Sequence, residues 1–366
     1  MKQTLRMAGL IAALLVLLDV AVAGVLMVAG NAGGKGAALV RYFEYGRSVP
    51  GKLDRWIAAP GLRDNLFDVA WIPDTLAASQ EAFAAEGVTG TPVVRAYGMS
   101  FADQILSAAA ALEPSLTIDM HGGPAAPPNF SYEMFLQDRP NRRAGDIVVF
   151  GILSSSTPAM AALSNRTWSF EQPAPFTYPV FLPAEGDGLR RIAPLVQSAD
   201  GERALRSDPA AAEAWAAQLA GQDRLYTAAA FAWDWLDISP FARLVRRSLA
   251  ISAVEQREAD LISPDSDFPA SEVLQRMIAG FVRTAREDSQ IPVVFLIQSR
   301  NPADLNLFSL AGPAVQLPGL LTLVTADHVS PRDPAAFVGD GHYTRAANAV
   351  FAQALLDQLR STGALK

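Results

Sequence analysis

The chain has 366 residues, half of them hydrophobic and 18% charged, with a net charge of −7 at pH 7. That length accommodates one large domain or two small ones, and the acidic balance argues against a nucleic-acid partner, whose phosphates require a basic surface. The absence of cysteine excludes disulfides and thiolate metal sites, and the three histidines (His121, His328 and His342) have no metal-ligand spacing, so neither a metal nor a cofactor is expected.

Residues 7–29 are apolar apart from Asp19. At ~1.5 Å per residue a helix of this length rises roughly 35 Å, enough to cross a bilayer core. Lys2 and Arg6 precede it, which predicts a cytoplasmic N-terminus and an exported remainder. The expectation is a single-pass protein of the inner (cell) membrane, touching lipid through residues 7–29, with its main part periplasmic or extracellular. A signal peptide cleaved after Ala21-Val22-Ala23 is the rival reading. The apolar run continues through Val25, Leu26, Met27 and Val28, which favours the anchor. Asp19 near mid-helix has two readings: a protonated acid in a lone span, or a contact with another membrane protein.

Residues 30–36, rich in Gly, Asn and Ala, read as a linker, and residues 37–85 as a helical stalk. Domain boundaries follow: an anchor over 1–30, linker and stalk over 31–90, and an α/β domain over 91–366. Within that domain strands are predicted at 93–97, 115–120, 146–153, 291–298 and 320–325, and helices at 101–112 and 344–359. The apolar third and fourth runs suit strands buried on both faces, and strand–helix alternation predicts a mostly parallel sheet with helices on both faces. Residues 165–270, which hold Trp168, Trp215, Trp233 and Trp235, read as a cap beside the sheet.

Three polar groups fall at predicted strand ends, where open α/β sheets bind ligands. Ser100 follows Gly98-Met99 at a strand-to-helix turn, either as a nucleophile or simply as a helix N-cap. Asp340-Gly341-His342 precedes the last helix, and an Asp beside a His can orient an imidazole base; a plain loop pair is the alternative. Met120-His121-Gly122-Gly123 offers backbone N–H groups to an oxyanion, or forms an ordinary turn.

This order does not fit the α/β-hydrolase elbow, because Phe101-Ala102 follows the serine and the acid and base are nearly adjacent. It resembles the SGNH/GDSL hydrolase superfamily at the level of short blocks over residues 93–359. Gly98-Met99-Ser100 stands for that family's Gly-Asp-Ser, Gly122 or Gly123 for its oxyanion glycine, and Asp340-Gly341-His342 for its terminal Asp and His. The resemblance implies a three-layer flavodoxin-like parallel sheet and a Ser100–His342–Asp340 triad. It also implies an oxyanion hole from the Ser100 and Gly123 amides, with Ser154 as a hydroxyl donor. Met99 replaces the family's Asp, and Gly151-Ile152-Leu153-Ser154-Ser155-Ser156 lacks the family's oxyanion asparagine, for which Ser154, Ser155 or Asn129 would have to substitute.

The expected function is a membrane-anchored extracytoplasmic serine esterase or O-acyltransferase. Acetylated cell-surface polysaccharide is the substrate class that the resemblance implies. The alternative is a catalytically inactive scaffold or glycan-binding protein on the same fold, working beside a membrane partner. A nucleotide-binding reading lacks a Gly-rich phosphate loop.

Overall fold

The computed structural model describes residues 2–32, 34–52, 71–85, 92–123, 126–164, 178–205, 207–231, 234–263, 265–301 and 306–365. Its N-terminus is a helix, α1 (Lys2–Ala32), built from Leu, Ala and Val, and Gln3–Gly30 is long and apolar enough to span a bilayer. A second helix, α2 (Gly34–Glu44), begins almost at once and packs back on the first. At Gly36 a Cβ would lie 2.6 Å from the Ala29 carbonyl oxygen, so glycine permits that close approach. Of the predicted linker, residues 30–32 close α1 and residues 34–36 open α2; residue 33 lies outside the described residues.

Of the predicted stalk, residues 53–70 lie outside the described residues, and its last part is α3 (Ile72–Ala85), which packs on the edge strand of the sheet. All five predicted strands are present: β1 (Val93–Gly98), β2 (Thr117–Gly122), β3 (Ile147–Leu153), β6 (Ile291–Ile297) and β7 (Leu321–Val324). They form one parallel sheet in the order β2-β1-β3-β6-β7. The chain passes from β1 to β2 on one side and then crosses over to β3 on the other side of β1, so a crevice is expected beyond the carboxyl ends of these strands. Every residue of β1 and β3 is buried, which explains the unbroken apolar run of β3; β1 carries one charged residue, Arg95.

Helix α4 (Ser100–Leu112) packs on β1 and on the last helix, α9 (Arg345–Ser361). Two helices that the sequence reading did not resolve, α5 (Pro128–Gln137) and α8 (Ala270–Glu287), pack on each other and on the central strands. Helix α8 buries Val273, Leu274, Met277, Ile278, Phe281, Val282 and Ala285, a stripe at helical spacing. Phe281 meets Phe135 of α5 and Phe150 of β3 with ring centroids 4.6 and 5.5 Å apart, which ties the two helices to the sheet.

One face of β1 and β2 carries charge. Arg95 reaches Asp119 at 2.5 Å and Asp146 at 3.1 Å, all three being buried. His121 does not stand at a turn, as the sequence suggested. It lies inside β2, wholly buried and stacked on Tyr97 at 5.3 Å, with Nε2 3.2 Å from Asp119 Oδ2. Strand alternation puts Tyr97 and His121 on one face and their neighbours Gly98 and Gly122 on the other.

The insertion over 165–270 contains a hairpin, β4 (Val180–Pro183) with β5 (Leu189–Ile192), and two long helices, α6 (Pro209–Gln222) and α7 (Pro240–Ile262). Residues 165–177 with Trp168, and Trp233, lie outside the described residues. Helix α7 touches both α1 and α2. Asp19 Oδ1 accepts the Phe241 N–H at 2.9 Å, in the first turn of α7, so this chain itself supplies the half-buried acid with a donor. Nearby, Arg243 donates to Glu44 at 2.9 Å, and the Ser48 hydroxyl and N–H donate to Asp237 at 2.8 and 3.0 Å. Burial holds the neighbouring Lys52 ammonium down, to a pKa of about 7.

Candidate functional site

Glycine sets the height of α4 over the sheet. A Cβ on Gly98 would come within 3.0 Å of the Ala102 Cβ, and one on Gly151 within 2.9 Å of the same atom. With no side chain at either position, the first turn of α4 settles onto the ends of β1 and β3. Met99, buried and extended, precedes the helix as its N-cap and offers no side-chain cap. Ser100 is therefore the first helical residue, and the plainer expectation of a serine N-cap does not hold. The first helical bond runs from the Ala102 N–H to the Met99 carbonyl at 2.9 Å, which leaves the Ser100 N–H outside the ladder at the positive end of the helix.

The Ser100 hydroxyl is exposed and lies 2.7 Å from His342 Nε2. The histidine comes from a tight reversal between β7 and α9. The Val338 N–H donates to the His342 carbonyl at 2.8 Å, and the Gly341 N–H to the Val338 carbonyl at 3.0 Å. Gly341 takes φ +92°, which side-chain-bearing residues rarely adopt. Asp340 Oδ1 accepts the His342 backbone N–H at 3.0 Å, closing an Asx turn. The same oxygen lies 3.1 Å from His342 Nδ1, off the straight line of a hydrogen bond. That backbone N–H, and then the ring, hold the Asp340 carboxyl below the usual carboxylate range, although it is well exposed.

The reversal is anchored from below. Tyr343 is buried between Phe337 and Phe351, its hydroxyl donating to the Gln298 carbonyl and lying 3.2 Å from Thr325 Oγ1. Thr344 caps α9 through the Ala347 N–H at 3.3 Å, and Asn348 donates to Gln104 of α4 at 3.2 Å. The Asp/His turn and the serine helix are thus held by one packed unit. Phe101 completes it by stacking on the His342 ring with centroids 4.4 Å apart. Sequence reasoning gave Phe101 no role, although its place beside Ser100 on the first turn of α4 was the signal available.

The other expected donors are buried. The Gly123 N–H donates to the Gly98 carbonyl at 3.3 Å, extending the β1–β2 ladder, and Gly123 is buried. Ser154 is buried at the end of β3, where its hydroxyl accepts the Ser299 N–H at 2.8 Å. Asn129 is buried too, and its amide donates to the Pro179 carbonyl at 2.9 Å, fastening the insertion to α5. The structure therefore brings Ser100, His342 and Asp340 together, and it gives Gly123, Ser154 and Asn129 structural partners. A hydroxyl on an imidazole whose second nitrogen faces a carboxylate can pass its proton to that ring as it attacks an electrophile. No family model, curated protein or solved structure matches the chain.

Proposed function

We propose that the chain is a membrane-anchored extracytoplasmic serine esterase or O-acyltransferase, a divergent SGNH-type enzyme with helices layered on both faces of its sheet. The observation that carries this reading is the 2.7 Å contact between Ser100 Oγ and His342 Nε2, made by residues 242 positions apart. The apolar run of α1, with Lys2 and Arg6 ahead of it, supports a span with the catalytic face outside the cytoplasm.

In this mechanism Ser100 Oγ attacks an ester carbonyl and its proton passes to His342 Nε2. Asp340 faces the imidazolium that results. The Ser100 N–H, at the opening of α4, donates to the tetrahedral oxyanion. Collapse breaks the ester C–O bond, and the alcohol leaves with the proton from Nε2. Water or an acceptor hydroxyl then attacks the acyl-serine, again giving its proton to Nε2, and restores the free serine. An acetylated surface polysaccharide is the substrate class that the family resemblance suggests.

A second reading, an inactive scaffold on this fold, is favoured by two observations: the Gly123 N–H is taken by the Gly98 carbonyl and Ser154 is buried, which leaves the oxyanion with the helix amide as its evident donor. Loss of one such donor costs an acyl-transfer enzyme on the order of 3 kcal/mol. Ser100→Ala in the full-length chain, assayed with p-nitrophenyl acetate and a fluorophosphonate probe, separates the two. The enzyme reading expects turnover and labelling by the native chain and loss of both in the variant. A native chain inert to both reagents, or a variant with unchanged turnover, refutes it.

A further inference from the structure

The segment 234–249 of the insertion exposes large apolar side chains beside α1. Trp235 is 66% exposed, Ile238 82%, Val245 60% and Leu249 57%. Such a patch on a surface facing water is costly, and it normally marks an interface.

The hydrogen bond from the Phe241 N–H to Asp19 fixes where this patch sits. From Asp19 to Gly30, α1 rises about 16 Å at ~1.5 Å per residue. That is about half of a hydrocarbon core of ~30 Å. Helix α7 starts from the level of Asp19 and leaves it toward the α/β core, where Val254 and Leu261 are buried. Along the way its outward face changes character. Val245, Ser248 and Leu249 are exposed first, and Ser252, Glu255, Gln256 and Asp260 follow. The last large apolar side chain of that face, Leu249, is eight residues beyond Phe241, about 12 Å at ~1.5 Å per residue. The apolar stretch of α7 thus lies within the rise of α1 from Asp19 to Gly30. On α2, the exposed Arg41 and Tyr42 are residues suited to a headgroup boundary.

We infer that residues 234–249 dip into the outer half of the bilayer against α1, so that the insertion is a second membrane contact of this protein. The occupant of the apolar patch is lipid, continuous with the lipid around α1. The inference rests on α1 spanning a bilayer and is independent of any catalytic role for Ser100. Trp235 and Ile238 lie in the single 3-10 turn ahead of α7, and Asp19 satisfies the Phe241 N–H that would otherwise face hydrocarbon.

The chain contains no cysteine, so single nitroxide labels report without background. Full-length Ile238→Cys, Val245→Cys and Gln256→Cys are labelled and reconstituted in phosphatidylcholine–phosphatidylglycerol nanodiscs, with Leu14→Cys on α1 as the lipid reference. Power saturation is then read against oxygen and a nickel chelate. Labels at 238 and 245 are expected to favour oxygen over nickel severalfold, as at 14, with the opposite order at 256. If 14 reads as lipid while 238 and 245 read as water, the membrane contact of the insertion is overturned. Protection from both reagents at 238 and 245 overturns it in favour of a protein neighbour. Water exposure at 14 overturns the span and this inference with it.

Discussion

Phe101 lies on the His342 ring, with 4.4 Å between centroids and 22° between planes. The residue after the candidate nucleophile therefore holds the candidate base. A stacked aromatic pair is worth about 1 kcal/mol beyond its buried area. Phe101→Ala is expected to free the imidazole and to lower turnover of p-nitrophenyl acetate about fivefold, through kcat rather than KM, since ~1.4 kcal/mol is tenfold. Phe101→Tyr keeps the stack and should retain most of the rate. Equal losses in both variants would remove the stack from the account.

Asp340 acts from an exposed position, with 69% of its side chain accessible. Water screens its charge, so its electrostatic share is smaller than that of a buried triad acid. Asp340→Asn retains an oxygen for the His342 N–H and loses the carboxylate. Turnover is expected to fall about ten- to a hundredfold, against about 10⁴ for a buried acid. The native rate should also decline with added salt, and the variant should lose that dependence.

The reversal that presents His342 depends on Gly341 at φ +92°. Alanine there is strained by about 1–2 kcal/mol. Gly341→Ala is expected to lower the melting temperature of the detergent-solubilised chain by a few degrees and to abolish most activity, because His342 follows it directly. Gly339→Ala is the control: a Cβ there meets no atom within 4 Å, so little change is expected.

Gly151 supports the site from β3 without touching its chemistry. A methyl group at that position would sit 2.9 Å from the Ala102 Cβ and push α4 off the sheet. Overpacking of this kind costs about 1–3 kcal/mol. Gly151→Ala should lower both stability and turnover, and adding Ala102→Gly should restore turnover by clearing the clash. Failure of that second change to restore activity would show that the height of α4 does not control the serine.

Asp223 supplies a pH dependence that is separate from catalysis. It is buried and accepts the Ser164 N–H and the Leu225 N–H at 2.8 Å each. Burial raises its pKa from 3.8 to about 6, the hydrogen bonds opposing part of the rise. The folded state therefore binds the proton more tightly than the unfolded chain. The stability this contributes is complete below about pH 4 and is lost as pH rises through about 6. Thermal melts between pH 4 and 7 should show that Asp223→Asn flattens this part of the curve. An unchanged slope would assign the dependence to other groups.

Much of this was legible in the sequence, and the exceptions have physical causes. Strands such as residues 147–153 were readable because both faces are buried and the run is uniformly apolar. Ser100, Asp340 and His342 were readable because Ser100 stands where a strand gives way to a helix and the Asp/His pair stands just ahead of the last helix. Periodicity cannot reveal that the Gly123 amide pairs with the Gly98 carbonyl, since that depends on how far the β1–β2 ladder continues. His121 was misplaced for the same reason: the strand runs two residues beyond the predicted end at Met120. The junction at residues 30–36 read as a linker because glycine and asparagine lower helix propensity, a penalty overridden where α2 packs on α1.

That junction also determines how far the domain can travel. A flexible seven-residue leash would let it range over about 15 Å, at ~5–6 Å times the square root of the residue number. Two helices packed back to back, with Asp19 fastened to α7, remove most of that play. On the proposed reading Ser100 would work at a set height above the membrane, like a tool on a fixed post. Any polymer it modified would have to be brought to that height as it emerged, and lengthening the post by a few helical turns would change which part of the polymer was reached.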